Sequence, residues 1–514
     1  MASTISQIDD LLEEIASYEF YGKKIYLLGT SEFGPTNQPT LINSTVELMS
    51  KFGYGTLADA WNKIKHTYIN NEVYLVKTTG EHSRISINVN VCDNNIIREG
   101  FTFVSTQSNE IFNEIEIHIT DKSITIINPE ELGLKNYEYK YSEYPTIHEL
   151  SEAINKSNNN VYTHYSVDSL LRTDVAFYVC NPGIVYLEGG YCGLQYTKNM
   201  LYNCLQKTYE ILESEDIDII VPVDAFIDDI YPNDQYSLEE LYNKKYYQRQ
   251  RDFLTVDGYG KQLTYLNQLI NFCMRQNLFG IITIGIMGFN SCYEYFNNYY
   301  NESNDIRLSY INCLKYNLRY CENPDYQFLV SIVGGDVKYS RRDIDNGYLA
   351  YAALCSNISF VKGTTNLPLD TITIYQEPSE EVLSELSDNG IIMFRHSPYY
   401  DCPVVYNGIT LQDKNSDLSL YVNVRMIQLA ISYLNKLYQY YIGNPISEIK
   451  QRIIADSNKL LNILKDAGII NKYKVQTEIK NYHIIVYLTL ENNYMIKPLT
   501  VASTVNIKYS EVNS

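Results

Sequence analysis

The sequence predicts a multidomain protein of the mixed α/β (α+β) class, in which a β-rich domain interrupts an α/β core. The chain has 514 residues, enough for roughly two to four domains. Apolar strand-like runs alternate with amphipathic helix-like runs outside residues 81–188, and short alternating apolar and polar stretches fill that range. With 45% hydrophobic and 20% charged residues the composition is globular, so we expect order nearly throughout.

These patterns divide the chain into six predicted segments. They are an amino-terminal arm with a helix (1–20), the first part of the α/β core (21–80), an inserted β-rich outer domain (81–188), the second part of the core (189–370), a carboxy-terminal α/β domain (371–499) and a carboxy-terminal strand arm (500–514).

The first elements follow directly from apolar spacing. Residues 5–16 carry isoleucines and leucines at helical spacing, which predicts a short amphipathic helix. The apolar run 25–28 predicts a buried strand, two short helices follow around Gly53 and Gly55, and 73–77 predicts a second strand. This strand, loop, helix, strand order is an α/β pattern.

The loop after the first strand has the glycine spacing of a phosphate-binding loop. Gly29 and Gly34 fit GxxxxGK, but Pro35 occupies the lysine position. Because proline offers neither a cation nor an N–H group, we interpret this segment as a structural loop.

The inserted range has antiparallel character. Stretches such as "ISINVNV" and "IFNEIEIHITDKSITIIN" alternate as strands with one wet face do. Helix and buried strand then alternate again from about residue 199.

The carboxy-terminal part predicts two long helices, over about 417–441 and from residue 446 onward, and we expect Gly468 to cap the second. Two alternating segments follow, and the chain closes with the strand-like "TVASTVNIKYS".

Several classes of function are disfavoured by the sequence. The formal charge of −20 argues against nucleic acid as the main partner. The acidic amino terminus lacks a signal peptide, so we expect synthesis in the cytosol without export, and the apolar run 278–289 is too short to span a membrane. The ten cysteines show no zinc spacing, and "HELSE" at His148 lacks the second histidine of a zinc motif.

The best enzyme signal is a group of acids after a buried strand. Asp224, Asp228 and Asp229 follow "DIIVPV", and the ends of α/β strands are where active sites collect. No lysine, histidine or glycine fingerprint accompanies them, so solvated loop acids are the competing interpretation.

The charge is unevenly distributed. Residues 201–240 hold eleven acids and one base, whereas 421–480 hold nine bases and four acids. Such a basic field suits an acidic protein partner, and ordinary solvated helix faces are the alternative. The basic residues on the two long helices are Arg425, Lys436, Lys450, Arg452, Lys459 and Lys465.

An ordered set of segments resembles the tail sheath proteins of contractile phage tails and related injection machines. These segments are "IYLLGTSEFGPTNQPTLINSTVELMSKFG", "IIVPVD", "SRRDIDNGYLAYAAL" and "LSELSDNGIIMFRHSPYYDCPVVYNGITL" with the Arg-containing helix after it. The resemblance lies in their order and spacing over about 400 residues. Three departures are that Val223 separates the expected Pro-Asp pair, that Tyr351 or Ala352 replaces a proline, and that the family's amino-terminal arm is absent.

The resemblance implies a structural subunit and no enzyme or cofactor. Such proteins stack as hexameric rings around a tail tube, hold a metastable extended state and contract to drive the tube through a bacterial envelope. The implied partners are further copies of the chain, the tail tube protein, and baseplate and tail terminator proteins, with no direct nucleic acid and no membrane insertion. The implied location is the virion tail, after synthesis in the host bacterial cytoplasm.

The resemblance also suggests roles for two sets of residues. Val501, Val505 and Ile507 would set the register of a terminal strand added to a neighbour's sheet, and the basic helices would face the tube. The alternatives are an α/β enzyme using the Asp224 loop and a non-contractile baseplate or virion structural protein.

Overall fold

A computed structural model describes most of the chain. The described residues are Ile8, Leu12, 24–68, 70–90, 97–133, 135–157, 159–173, 183–227, 264–278, 280–289, 306–319, 321–339, 344–360, 362–375, 377–397, 399–442, 446–480, 483–492 and 499–501.

Strands and helices alternate along the described residues. The strands are β1 (Lys24–Gly29), β2 (Thr40–Leu41), β3 (Glu72–Lys77), β4 (Arg84–Asn90), β5 (Ile97–Ser105), β6 (Glu116–Ile119), β7 (Ser123–Ile127), β8 (Tyr137–Lys140), β9 (Val161–Tyr165), β10 (Gly183–Tyr186), β11 (Ile219–Pro222), β12 (Ile284–Gly288), β13 (Val330–Val333), β14 (Asp336–Lys338), β15 (Ile344–Asn346), β16 (Thr373–Ile374), β17 (Ile391–Ile392), β18 (Phe394–Ser397), β19 (Tyr400–Val405), β20 (Ile470–Lys480), β21 (His483–Asn492) and β22 (Leu499–Val501). The helices are α1 (Thr45–Lys51), α2 (Thr56–Thr67), α3 (Ile147–Lys156), α4 (Lys198–Ile211), α5 (Tyr265–Leu278), α6 (Ile306–Arg319), α7 (Tyr348–Asn357), α8 (Glu380–Asp388), α9 (Tyr421–Gln439) and α10 (Ile446–Asp466).

A seven-stranded sheet forms the centre of the molecule, in the order β17-β13-β12-β11-β1-β3-β2. All neighbours in it are parallel except β2 and β3. Parallel sheets are covered on both faces, which is why β11, β12 and β13 are fully buried and, apart from Ser331, apolar. The largest hydrophobic cluster extends over this sheet and the helices around it.

The inserted part has its own core. A four-stranded antiparallel sheet, β10-β6-β7-β8, and a three-stranded one, β4-β5-β9, share with α3 a cluster of buried apolar residues between Ile87 and Leu187. Helix α3 begins with a capping box in which Thr146 and Glu149 satisfy each other's backbone N–H groups. The "HELSE" segment is therefore a helix start.

Two glycines mark the place where the chain enters and leaves the insertion. A Cβ atom at Gly193 would lie 2.5 Å from the Gly80 backbone nitrogen, and one at Gly80 would lie 2.7 Å from the Tyr191 carbonyl oxygen. Both residues have positive φ. Only glycine allows the two chain segments to approach this closely.

A buried lysine lies at the same junction. Lys77, at the end of β3, has no solvent exposure, and its Nζ donates hydrogen bonds to the carbonyl oxygens of Ser108 (2.7 Å) and Glu32 (3.4 Å). Burial lowers its pKa to about 7, partly offset by the nearby Cys192, Glu110 and Glu32. An ionisable group thus joins the core sheet to the insertion.

The carboxy-terminal residues form a third cluster. Helices α9 and α10 pack together and against the antiparallel sheet β20-β21-β22. Ile8 and Leu12 are helical and buried in this cluster, four residues apart on one face as the amphipathic pattern predicts.

The central sheet also reaches into the carboxy-terminal range. Its edge strand β17 lies within 371–499, and the central cluster continues to Ile431. The domain boundaries themselves stay a prediction.

Candidate assembly surfaces

The backbone of the glycine loop after β1 is hydrogen-bonded to other parts of the chain. The N–H groups of Glu32 and Phe33 donate to the carbonyl oxygens of Tyr54 and Phe52, at 2.8 and 3.0 Å. Gly34 has φ of 108°, and a Cβ atom there would lie 2.7 Å from the Phe52 ring. Because these N–H groups bond to the protein, the loop has the structural role that Pro35 predicts.

The acidic loop after β11 shows no metal site in the described residues. Asp224 is buried, whereas Asp228 and Asp229 lie outside the described residues. Within the described part of the chain, no group of three or more His, Cys, Asp or Glu side chains could hold a metal ion.

Arg425 requires a correction to the predicted basic surface. Its side chain is 2% exposed, and the guanidinium carbon lies 3.9 Å from the centre of the Phe360 ring. Nη1 donates to Gln428 Oε1 at 2.6 Å, and Nη2 donates to the Cys355 carbonyl oxygen at 3.4 Å. Arg425 is a core residue and does not face a partner across the surface.

The buried arginine has an acidic neighbour. Burial raises the pKa of Asp218, and the Arg425 charge acts in the opposite direction. Gln428 continues the network, since its Nε2 donates to the carbonyl oxygens of Asp218 (3.0 Å) and Ile282 (2.6 Å). Helix α9 is thereby attached to the residues that precede β11 and β12.

The other predicted basic residues lie at the surface. Lys436, Arg452, Lys459 and Lys465 are exposed, and Lys450 is half-buried. Lys459 pairs with Asp456 at 3.1 Å, one helical turn away. Such an exposed pair contributes little stability, so these side chains remain accessible to a partner. Their contact with a tube stays a prediction.

Polar contacts hold α9 against α10 beneath this surface. The Tyr438 hydroxyl lies 2.9 Å from Ser457 Oγ, and Tyr441 donates to Asp456. Burial raises the pKa of Tyr438 to about 12. These contacts therefore fix the two helices that carry the basic residues relative to each other.

The terminal sheet places one of the three predicted arm residues. Val501 ends β22 and pairs with Leu488 of β21 in the same chain. Val505 and Ile507 lie outside the described residues. Donation of this strand to a neighbour stays a prediction.

The opposite edge of that sheet is long. β20 covers eleven residues and pairs with β21, and no other described strand lies on its second edge. Unpaired N–H and C=O groups along such an edge are a template for another strand.

Sequence reasoning missed two residues on this edge strand. Lys472 and Lys474 are exposed on β20, and Lys472 pairs with Glu491 at 3.1 Å. Their spacing of two within the alternating "YKVQTEIKN" is the signal that places both on one face.

None of the described helices is long and apolar enough to cross a membrane.

The fold as a whole is similar to that of a solved tail sheath protein. The solved structure on which this rests is a sheath tail protein from Listeria innocua, with a TM-score of 0.56, 12% sequence identity and coverage of 98% of this chain and 100% of that protein. The predicted mixed α/β multidomain class and the resemblance to the sheath fold are confirmed at the level of the fold.

Two further solved structures are similar. A sheath tail protein from Desulfitobacterium hafniense is 11% identical with a TM-score of 0.49, covering 95% of this chain and 97% of that one. The helical sheath of the anti-feeding prophage in its contracted state is 10% identical with a TM-score of 0.44, covering 96% of both. No protein-family model and no curated protein sequence matches the chain.

Proposed function

We propose that this chain is a structural subunit of a contractile tail sheath. It assembles as stacked hexameric rings around a tail tube and contracts from a metastable extended state to drive the tube through a bacterial envelope. The observation that carries the proposal is the fold shared with the Listeria innocua sheath tail protein over essentially both chains. Its partners would be further copies of itself, the tube protein, and baseplate and terminator proteins.

The edge of β20 supports the polymeric part of this proposal. A strand from a neighbouring copy, such as residues 500–514, would pair with the edge of β20 that no described strand occupies and extend the sheet β20-β21-β22. Backbone hydrogen bonds would give the affinity, and alternate side chains the register. Lys472 and Lys474 on β20 discourage indiscriminate pairing, since charged edge residues oppose aggregation.

The exposed basic residues of α9 and α10 support contact with the tube. Within a chain of net charge −20, a basic surface favours one docking orientation for an acidic partner. Exposed ion pairs are weak and salt-sensitive, so they break when the subunits move.

Contraction needs no catalytic centre in this scheme. A gap on the order of a few kcal/mol per subunit between two packings is sufficient, because packed interfaces are bistable and the gain sums over many copies.

Electron microscopy of the purified full-length protein in negative stain tests the proposal. Helical tubes or six-fold rings are the expected result. Stable monomers that bind Mg²⁺ or a nucleotide in calorimetry would instead favour an α/β enzyme, and a discrete closed oligomer that never polymerises would favour a baseplate component.

Charge reversal tests the tube-facing surface. Changing Lys450, Arg452 and Lys459 together to Glu should weaken assembly templated by tube protein while leaving the melting temperature nearly unchanged, because these side chains are exposed or half-buried. The matched control reverses three exposed lysines of the insertion, Lys122, Lys135 and Lys140. Equal loss in both variants would mean that net charge, and not this surface, controls assembly.

Deletion of residues 500–514 tests strand donation. We expect tubes to be lost while the circular dichroism spectrum and melting temperature of the core persist. Tubes of normal length from the truncated chain would remove the arm from the mechanism.

A further inference from the structure

The insertion carries a groove outside the surfaces proposed above for strand donation and tube contact. Its volume is ≈ 670 Å³, and it lies between the open face of the sheet β4-β5-β9 and the returning segment around residues 188–191. Sites for small ligands typically enclose about 300–1,000 Å³. The groove therefore has the size of a ligand site.

The floor of the groove is the polar face of a sheet. Cross-strand pairing aligns Arg84, Val104 and Tyr162 in one row, and the next row places Thr102 beside His164. The intervening residues of these strands, among them Phe103, point into the core of the insertion. The open face is thus held in place from beneath by apolar packing.

The wall of the groove is fixed by backbone contacts. Glu81 and Tyr191 exchange hydrogen bonds of 2.9 and 3.1 Å, and Arg84 and Glu188 exchange another pair of the same lengths. A Cβ atom at Gly190 would lie 1.9 Å from Ser83 Oγ, so the returning segment sits directly against β4. A ligand would meet a preformed site and would not have to order it.

The charges lining the groove are not neutralised by one another. Arg84, Glu81 and Glu188 are exposed, and among the described residues none of the three takes part in an ion pair. Carboxylates accept two hydrogen bonds side by side, and guanidinium donates them in a fork. This geometry suits neighbouring hydroxyl groups.

His82 adds no positive charge to the wall. Its Nε2 accepts from the Thr36 N–H group at 3.2 Å, and its Nδ1 lies 2.8 Å from the Ser105 carbonyl oxygen. Only a neutral imidazole can accept at one nitrogen and donate at the other. Burial also lowers the pKa of His82. One guanidinium and two carboxylates leave the groove slightly negative, which disfavours anions.

Two tyrosines supply flat apolar faces. Tyr162 and Tyr191 are half-buried; Tyr162 packs edge-on against His164 with ring centres 5.0 Å apart, and the Tyr191 hydroxyl accepts from Tyr196 at 2.8 Å. An aromatic ring held in this way offers an apolar face with a polar rim. A pyranose ring presents the matching surfaces, C–H groups on its faces and hydroxyls at its edge.

We propose that this groove binds a neutral saccharide, with Tyr162 packing on the sugar ring and with Arg84, Glu81 and Glu188 bonding to its hydroxyls. Because the groove is open and polar, the affinity for a single sugar unit is low. A single subunit forms the site, since all of its residues belong to one insertion and its return.

Saturation-transfer NMR on the full-length protein at about pH 8, where imidazole is neutral, tests this proposal. The probes are methyl glucoside, methyl galactoside and N-acetylglucosamine, with N-acetylneuraminate as the anionic probe and spermidine as the cationic one. We expect transfer to at least one neutral sugar. Transfer to none of the three, or only to a charged probe, overturns the proposal.

Variants connect the signal to the groove. Arg84→Ala and Tyr162→Ala should reduce the transfer to baseline, and Tyr162→Phe should retain it because the ring face remains. Tyr186→Ala, which removes an exposed tyrosine from the other sheet of the insertion, should have no effect. A signal that survives both alanine changes would place the sugar elsewhere and overturn the assignment. Melting curves identify any variant that fails to fold. If an alanine variant does not fold, the transfer signals of Tyr162→Phe and Arg84→Lys are compared instead.

Discussion

Replacement of the buried Lys77 by Met should stabilise the protein at acidic and neutral pH. The side chain has no exposure, and burial lowers its pKa from 10.5 to about 7. A shift of this size corresponds to about 5 kcal/mol, since each unit is worth about 1.4 kcal/mol. Met fills a similar volume but leaves the Ser108 carbonyl oxygen without its donor, which costs about 1–3 kcal/mol. The net gain near pH 6 is thus about 2–4 kcal/mol.

The pH dependence has a defined sign. Between pH 7 and 10.5 the unfolded chain keeps the Lys77 proton while the folded chain has lost it, so wild-type stability rises with pH by about 1.4 kcal/mol per unit from this group. Below pH 7 both states are protonated and the contribution is constant. The advantage of Lys77→Met should therefore shrink steadily above pH 7 and vanish between about pH 8.5 and 10.

Scanning calorimetry of both proteins between about pH 6 and 9.5 measures this gap in melting temperature. Lys436→Met is the control, because it removes an exposed ammonium and changes no buried charge. A gap for Lys77→Met that stays constant over the range, or a loss of stability at pH 6, would refute the reasoning.

Three further predictions concern other buried contacts. Arg425→Ala should lower the free energy of unfolding by about 2–5 kcal/mol in denaturant titrations, because it removes a buried side chain that packs on Phe360 and leaves the Gln428 and Cys355 acceptors without their donor; an unchanged midpoint would contradict the buried placement. Gly190→Ala should lower the melting temperature through its clash with Ser83, and adding Ser83→Ala should recover part of the loss; strict additivity of the two changes would count against a direct contact. Burial raises the pKa of Tyr438 from 10 to about 12, so the stability that depends on its protonated hydroxyl is complete below pH 10 and is lost as the pH rises to 12. Tyr438→Phe should be less stable than the wild type at pH 9 and should lose less stability between about pH 9 and 11. Equal losses of stability in both proteins would show that this hydroxyl is not responsible.

The sequence predicts individual strands and helices better than it predicts which strands pair in the sheet. The run Ile25–Leu28 is apolar at every position, which marks a strand buried on both faces, and the structure places it in the middle of a parallel sheet. Its partner β11 begins at Ile219, so no local pattern indicates the pairing. The order of strands depends on packing between distant segments.

Arg425 shows how charge counting can mislead. Residue type alone predicts Arg425 on the basic surface, yet it lies one helical turn from Tyr421 and one from Leu429, both buried. Helical spacing places Arg425 on the apolar stripe of α9, and this spacing could have predicted its burial. Lys436, which lies off that stripe, is exposed as assigned.

The groove was not predicted, because its residues come from four stretches that are close only in the fold. Residues 81–84, 102–104, 162–164 and 188–191 carry no shared motif. They meet because β5 pairs with both β4 and β9 and because the chain returns beside its entry.

The close approach of Gly80 and Gly193 has a consequence for the order of folding. Closing a flexible loop of about 110 residues costs about 3 kcal/mol more in chain entropy than closing one of roughly five. If the insertion folds first around its own cluster, it brings these two glycines together and removes most of that cost from the assembly of β3 and β11 on either side of β1. The insertion interrupts the core in sequence, but by folding first it would lower the entropy cost of assembling the core strands.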